Sequence, residues 1–148
     1  MVGQVIETEI EIDAPPERVW ATFADFDRWP DWNPFARRLD GDVAVGETIA
    51  VRLEPPDGRG MTFKPRVLEF TPNRALRWRG KVVFPGVFDG EHQFRLEPVD
   101  ERRTRFVQRE EFSGLLVGIM MRSIRESTTN GFEAMNEALK EQVEASGP

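Results

Sequence analysis

The chain has 148 residues, of which 39% are hydrophobic and 31% charged, a composition typical of one globular domain over residues 1–148. It has no cysteine, no tyrosine and one histidine, which excludes disulfides, thiolate nucleophiles, thiolate metal sites and mechanisms that need two imidazoles. The net charge is −6 and the 20 lysines and arginines are spread along the chain, so nucleic acid is not an expected partner.

The first segment alternates apolar and acidic residues and predicts a half-buried strand over residues 4–13. Asp13 then precedes two prolines and Glu17, which predicts a helix capped by Asp13. Because proline cannot continue a helix, Pro30 and Pro34 predict that this helix ends before them and that a short second helical turn and a loop follow.

Six runs of alternating apolar and polar residues follow, separated by turn residues that include Gly41, Gly46, Gly58 and Gly86. The loops between consecutive runs are short, which favours an antiparallel meander. The predicted strands are 35–42, 46–54, 61–71, 74–84, 86–97 and 102–113.

The last segment changes to a helical period. Apolar residues recur at spacings of four and three from Val117 to Ala138, which predicts an amphipathic helix over about residues 115–145, with the tail 146–148 ending it. Gly131 in its middle costs about 1 kcal/mol relative to alanine, so we expect a bend or a close approach of another segment there.

The order of elements predicts an α+β fold, in which a seven-stranded curved antiparallel sheet grips the long C-terminal helix. The chain order is strand, helix, short helix, six strands and helix. Because twisted strands curl the sheet, a straight helix cannot fill its concave face. Either large side chains fill the remaining space, or a cavity is left.

Four motifs carry a resemblance to a known family. They are IEIDAPPERVWATFADFDRWPDWNP at 10–34, VLEFTPNRALRW at 67–78, GVFDGEHQFRL at 86–96 and EEFSG at 110–114. Over about residues 4–143 the chain resembles the START-like, Bet v 1-type helix-grip superfamily (SRPBCC), especially the small bacterial proteins of its polyketide cyclase/dehydrase-like branch. The resemblance implies a hydrophobic cavity between sheet and helix. It leaves the function open, since similar proteins include lipid carriers, hormone receptors, aromatase/cyclases and chaperone activators.

Three polar residues fall on the inward faces of two predicted strands. His92 shares its face with Phe94, while Gln108 and Glu110 share theirs with Phe106. Antiparallel neighbours would place His92 beside Gln108 or Glu110. A buried carboxylate is costly unless it is paired, so the group is either a structural hydrogen-bond network or a polar end of the cavity that binds a ligand's carbonyl or hydroxyl. In the second case His92 and Glu110 are also the candidate catalytic acid and base.

The residues predicted to contact a ligand face the interior or cover its entrance, although the same spacings are typical of a filled core. No third metal ligand has a recognisable spacing beside His92 and Glu110, and no glycine pattern cradles phosphate, so we expect neither metal nor cofactor. The ligand-binding candidates are Trp78, His92, Phe94, Phe106, Gln108, Glu110, Met121, Ile124, Thr128, Met135 and, as part of a lid, Trp32.

Three functions stay open. The favoured one is a carrier or sensor that holds a small lipophilic or aromatic molecule, because reactive side chains are few. The second is a cofactor-free cyclase, aromatase or dehydratase acting on a polyketide-like molecule, and the third is a protein-interaction module with a filled core. We expect a cytoplasmic protein without membrane insertion, because no secretory signal is visible and no apolar run reaches the ~20 residues of a membrane span. We also expect a monomer or a weak homodimer.

Overall fold

In the computed structural model, which describes residues 3–57, 59–82 and 86–146, the chain forms eight β-strands and three α-helices. The predicted turn residue Gly58, the end of the predicted strand 74–84 and the tail 147–148 lie outside the described residues. In chain order the elements are β1 (Gln4–Ile12), α1 (Pro16–Phe23), a 3-10 turn (Phe26–Arg28), α2 (Trp29–Trp32), β2 (Ala36–Asp40), β3 (Ala50–Leu53), β4 (Met61–Phe63), β5 (Arg66–Thr71), β6 (Ala75–Val82), β7 (Phe88–Asp100), β8 (Arg103–Ser113) and α3 (Val117–Ala145).

Five strands form the main antiparallel sheet in the order β1-β8-β7-β6-β5, and β2, β3 and β4 form a second sheet. The segment before β3 joins the two sheets. The Val67 amide of β5 donates to the Glu47 carbonyl at 2.9 Å, the Ile49 amide donates to the Pro65 carbonyl at 3.0 Å, and an isolated bridge pairs Thr48 with Arg66. Helix α3 packs against β1, β8 and α1. The α+β class and the helix grip are therefore confirmed.

The predicted strand count is wrong, and Pro65 is the reason. The predicted strand 61–71 is two strands, β4 and β5, which belong to different sheets. Proline has no amide hydrogen and cannot continue a strand ladder, so the chain changes sheets there. The predicted cap is also wrong, because α1 starts after Pro15 and the Asp13 amide donates instead to Glu144 Oε2 at 2.9 Å.

Gly131 lies where a close approach was predicted, and the prediction is confirmed. A Cβ at Gly131 would collide with the ring of Phe35, which packs edge-on against Phe132 with ring centroids 5.6 Å apart. The glycine therefore lets the segment before β2 lie directly on α3.

Aromatic side chains fill one end of the concave face. Phe23 of α1 lies 5.1 Å from Phe94 and 5.6 Å from Phe106, between ring centroids, and Trp78 lies 5.1 Å from Phe94. Trp29 closes the cluster, and its indole N–H donates to the Phe23 carbonyl at 2.7 Å. Such aromatic pairs add about 0.5–1.5 kcal/mol each beyond the area they bury, so this end of the sheet is a rigid, filled core.

The outer face of the main sheet carries paired charges. Arg77 bonds Glu69 at 2.9 Å and Glu91 at 3.0 Å, and Arg109 bonds Glu7 at 3.1 Å. The arginines of the strands thus form a solvated, locally neutralised surface, as their alternation with apolar residues predicts. Among the helices that the structure describes, none is long and apolar enough to cross a membrane.

Candidate functional site

A cavity of about 500 Å³ lies between the first half of α3 and the sheets, beside the aromatic core. Its volume is within the roughly 300–1,000 Å³ of small-molecule sites. Charged side chains at its edge, Asp57, Arg59, Lys81 and Glu126, are exposed and mark the entrance. The interior is mainly apolar and is lined by Phe35, Leu53, Phe63, Phe88, Phe112 and Ile124.

Two glycines leave the floor of the cavity bare. Gly80 of β6 and Gly90 of β7 lie directly opposite each other in the ladder and both line the cavity. A Cβ at Gly80 would come within 3.0 Å of the Phe63 ring, and one at Gly90 would collide with Glu110 Oε2. Phe63 and Glu110 therefore occupy space that side chains at these positions would fill. Neither glycine was predicted from the sequence to line the cavity, although glycine inside a strand is a known signal of close approach.

The three polar candidates meet as predicted. His92 lies opposite Glu110 in the ladder, with Nδ1 3.3 Å from Glu110 Oε1, and its Nε2 lies 2.9 Å from Gln108 Oε1. His92 is 4% exposed and Gln108 is fully buried, whereas the Glu110 side chain is 16% exposed and lines the cavity. Only Glu110 reaches the cavity, and the other two lie in the wall behind it.

The network continues from the sheet into α3. Gln108 Nε2 donates to the Phe132 carbonyl at 3.2 Å and to Asn136 Oδ1 at 2.7 Å, and Asn136 Nδ2 donates to Thr8 Oγ1 at 3.0 Å. Asn136 is 2% exposed. Its burial was not predicted, because an asparagine beside the apolar stripe of a helix is typical of the solvent-facing side. The network ties β1, β7 and β8 to the helix.

The other ligand-binding candidates divide into two groups. Ile124 and Thr128 line the cavity together with Glu110. The remaining apolar candidates do not line this cavity, because α1 and α2 fill their part of the concave face. Trp78, Phe94, Phe106 and Met135 are fully buried in the core, Met121 is buried beside a shallow surface groove, and Trp32 packs edge-on against Trp29 away from the cavity.

Four phenylalanines line the cavity but were not predicted as ligand contacts. Phe88 and Phe112 stack with ring centroids 5.5 Å apart, and strand parity already places both on the inward face. Phe63 of β4 and Phe35, in the segment just before β2, come from the second sheet and its lead-in, whose position over the first sheet cannot be derived from periodicity. The aromatic lining therefore comes from other residues than those predicted from the sequence.

The side chains around His92 and Glu110 offer few ligands for a metal ion. In residues 3–57, 59–82 and 86–146, no three His, Asp or Glu side chains are grouped so that they could hold a metal ion. His92 and Glu110 would supply two ligands at most. The chemistry that this arrangement can perform is hydrogen bonding and proton transfer at one carboxyl group in an apolar cavity.

Comparisons with known proteins identify the family and the fold. The family model described as "Polyketide cyclase / dehydrase and lipid transport" matches residues 4–144. The Zhui aromatase/cyclase from Streptomyces sp. R1128 superposes with a TM-score of 0.72 at 19% identity, covering 99% of both chains. A norcoclaurine synthase point mutant from Thalictrum flavum, in complex with a transition-state analogue, gives a TM-score of 0.75 at 17% identity, covering 99% of this chain and 98% of that one. At such identities the likeness shows the fold; a search among curated proteins found no match.

Proposed function

The chain belongs to the polyketide cyclase/dehydrase and lipid transport family, and on this premise we propose that it binds a small lipophilic or aromatic molecule as a carrier or sensor. The observation that carries the proposal is the cavity of about 500 Å³ with aromatic walls, beside a core of fully buried aromatic side chains. Ligand sites of this size are mostly apolar with a few polar groups that fix orientation, and Glu110 is such a group. A cytoplasmic location and a monomer or weak homodimer stay predictions.

The proposal is tested by native mass spectrometry of the freshly purified protein and of two threonine variants. Thr128 lines the cavity, so Thr128→Phe places a ring inside it. Thr129 lines a shallow groove on the other side of α3, so Thr129→Phe adds the same ring outside. We expect the wild type and Thr129→Phe to carry a small molecule that Thr128→Phe lacks. A bound molecule retained equally by both variants would place the binding elsewhere, and a wild type that binds no added lipophile would refute the proposal.

A second candidate function is a cofactor-free cyclase or dehydratase. The favouring observation is the Glu110 carboxyl at the floor of the cavity with the His92 imidazole 3.3 Å behind it, which is a geometry suited to proton transfer. Incubation of the protein with the molecule identified by mass spectrometry tests the hypothesis that the protein is a cyclase or dehydratase. An enzyme would convert that molecule with loss of water or ring closure, and Glu110→Gln would slow the conversion while binding persists. A molecule recovered unchanged supports the carrier or sensor.

The protein-interaction module is the least supported alternative. It predicted an interior filled by side chains, and that description fits only the end of the concave face occupied by Phe23 and Trp29. The cavity beside Glu110 has no role in that function, so we do not propose it.

A further inference from the structure

The start of α3 and the two residues before it are apolar on every side. Residues 115–121 read LLVGIMM, whereas a surface helix normally carries apolar residues on one face only. Leu115 is 75% exposed, Ile119 70% and Leu116 43%, and we call these three residues the α3 patch. Leu115 and Ile119 line one shallow groove and so lie on the same side of the molecule. Exposed apolar residues that cluster in this way mark an interaction site.

The α3 patch lies at the end of the molecule where the cavity opens. The amides of Leu115 and Leu116 donate to the carbonyls of Gly86 and Val87, both at 2.9 Å, just before β7 begins. Glu126 lines both the entrance of the cavity and the groove beside the patch. A surface that covers the patch therefore also faces the entrance.

Cations surround the α3 patch, although the protein carries a net charge of −6. Along the groove and the entrance, the exposed charged residues are four cations and two carboxylates. The cations are Arg59, Lys81, Arg122 and Arg125, and the carboxylates are Asp57 and Glu126. On the outer face of the main sheet, by contrast, Arg77 and Arg109 each bond a carboxylate. The patch therefore lies in a local excess of positive charge, which attracts an anionic surface.

The size of the α3 patch favours a lipid surface over another protein. Three aliphatic side chains cover only a small part of the roughly 800 Å² that each partner buries in a standard protein–protein interface. The interface of a bilayer, however, accepts a few apolar side chains when cations beside them meet anionic headgroups. The combination of a small apolar patch and surrounding cations is what such a surface binds.

We propose that the α3 patch docks the protein on the surface of an anionic lipid bilayer. Leu115 and Ile119 lie between the headgroups, the charges of Arg122 and Arg125 lie near the phosphates, and the cavity entrance faces the membrane. The contact is peripheral, because it buries three side chains and inserts no spanning helix. It goes beyond the proposed binding function, since the docking surface does not depend on what the cavity holds. A lipophilic ligand could then pass between bilayer and cavity without crossing water.

Co-sedimentation with lipid vesicles tests the proposal. We expect the wild type to bind vesicles of equal parts phosphatidylcholine and phosphatidylglycerol, less so as salt is added, and to bind phosphatidylcholine alone about tenfold more weakly or worse. Ile119→Gln should weaken binding to the anionic vesicles about tenfold, because the side chain that enters the interface is no longer apolar. Arg122→Gln should weaken it about fivefold, the contribution of one cation near an anionic surface.

Two glutamine variants are the matched controls, and both should bind like the wild type. Val45 is 65% exposed in the loop between β2 and β3, so Val45→Gln repeats the change made at Ile119 outside the patch. Arg102 is exposed in the turn between β7 and β8, at the far end of β7 from the cavity entrance, so Arg102→Gln matches Arg122→Gln. Thr128→Phe, which places a ring inside the cavity, should also bind vesicles like the wild type, so that docking and ligand binding fail separately.

Three results overturn the inference. A wild type that binds neither kind of vesicle, or binds both equally, would refute docking on an anionic bilayer and leave the proposed binding function standing. Equal loss of binding in Ile119→Gln and Val45→Gln would show that the α3 patch has no special part in it. A wild-type dimer in sedimentation velocity that Ile119→Gln converts to a monomer would assign the patch to a second copy of the chain.

Discussion

Replacing Gln108 by leucine is expected to destabilise the protein through the groups that lose their partner. Gln108 is fully buried, and its amide bonds His92, Phe132 and Asn136. Leucine has a similar size, so little cavity forms. The Phe132 carbonyl keeps the helical bond expected within α3, whereas His92 Nε2 and Asn136 Oδ1 are left unpaired in the interior.

The magnitude follows from these two groups. Each unpaired buried polar group costs about 1–3 kcal/mol, giving about 2–6 kcal/mol, and a buried leucine returns about 1.5–3 kcal/mol, so we expect a net loss of about 2 kcal/mol in the free energy of unfolding. Urea unfolding followed by the fluorescence of the four tryptophans measures it. Adding Asn136→Leu removes one unpaired group, so the double variant should be destabilised by less than the sum of the single variants.

The matched control is Gln93→Leu, on the outer face of β7. Gln93 is half-buried and bonds the side chains of Glu91 and Arg95, whose other contacts stay accessible to water. Surface replacements of this kind typically change stability by about 0.5 kcal/mol or less. If Gln108→Leu is no less stable than Gln93→Leu, the buried amide does not satisfy the groups around it.

Two further predictions concern α3 and the outer face. Gly131→Ala should destabilise the fold by about 1 kcal/mol or more, because the overpacking against Phe35 exceeds the gain of about 1 kcal/mol in helix propensity. Gly118 lies in the same helix with open space around it, so Gly118→Ala should stabilise the fold slightly. Thermal unfolding of both variants checks that the two effects have opposite signs. The Arg77 guanidinium that donates to Glu69 lowers the pKa of this carboxyl, so its stabilisation is present above the unfolded-state pKa and is lost as the pH falls through the folded-state pKa. Urea midpoints measured from about pH 6 to pH 3 should therefore fall more steeply for the wild type than for Glu69→Gln, and parallel curves would contradict this assignment.

Local periodicity predicted the polar group better than it predicted the cavity. His92, Gln108 and Glu110 could be placed together because side chains alternate along a strand and consecutive strands of a meander pair. The location of the cavity depends on how far Phe23 and Trp29 reach across the sheet. This is set by the packing of α1 and α2 on the sheet, which the local sequence pattern does not show. Periodicity therefore predicted Glu110, Ile124 and Thr128 at the cavity but assigned most of the other ligand contacts to positions that the core occupies.

Single residues explain the remaining differences. Pro65 divides a run whose alternation continues on both sides of it, so the pattern alone predicted one strand instead of two. Gly80 and Gly90 form the floor of the cavity because they have no side chains. Strand alternation predicts which side chains point inward, so it gives no prediction for a glycine. Asn136 is polar in composition but buried by its partners Gln108 and Thr8, which lie far from it in the sequence.

The pairing of β1 with β8 has a consequence for how the chain folds during synthesis. Ile6 of β1 lies opposite Glu110, more than a hundred residues later, so the first strand cannot enter the sheet until β8 has left the ribosome. Folding dominated by such non-local contacts is slow, and an unpaired strand edge is prone to aggregation in the meantime. The alternating Glu7, Glu9 and Glu11 place a negative charge on every second residue of β1 while this strand is still unpaired. Like charges on two such strands repel, so the acidic face protects the nascent chain from pairing with a second copy before its own partner is made.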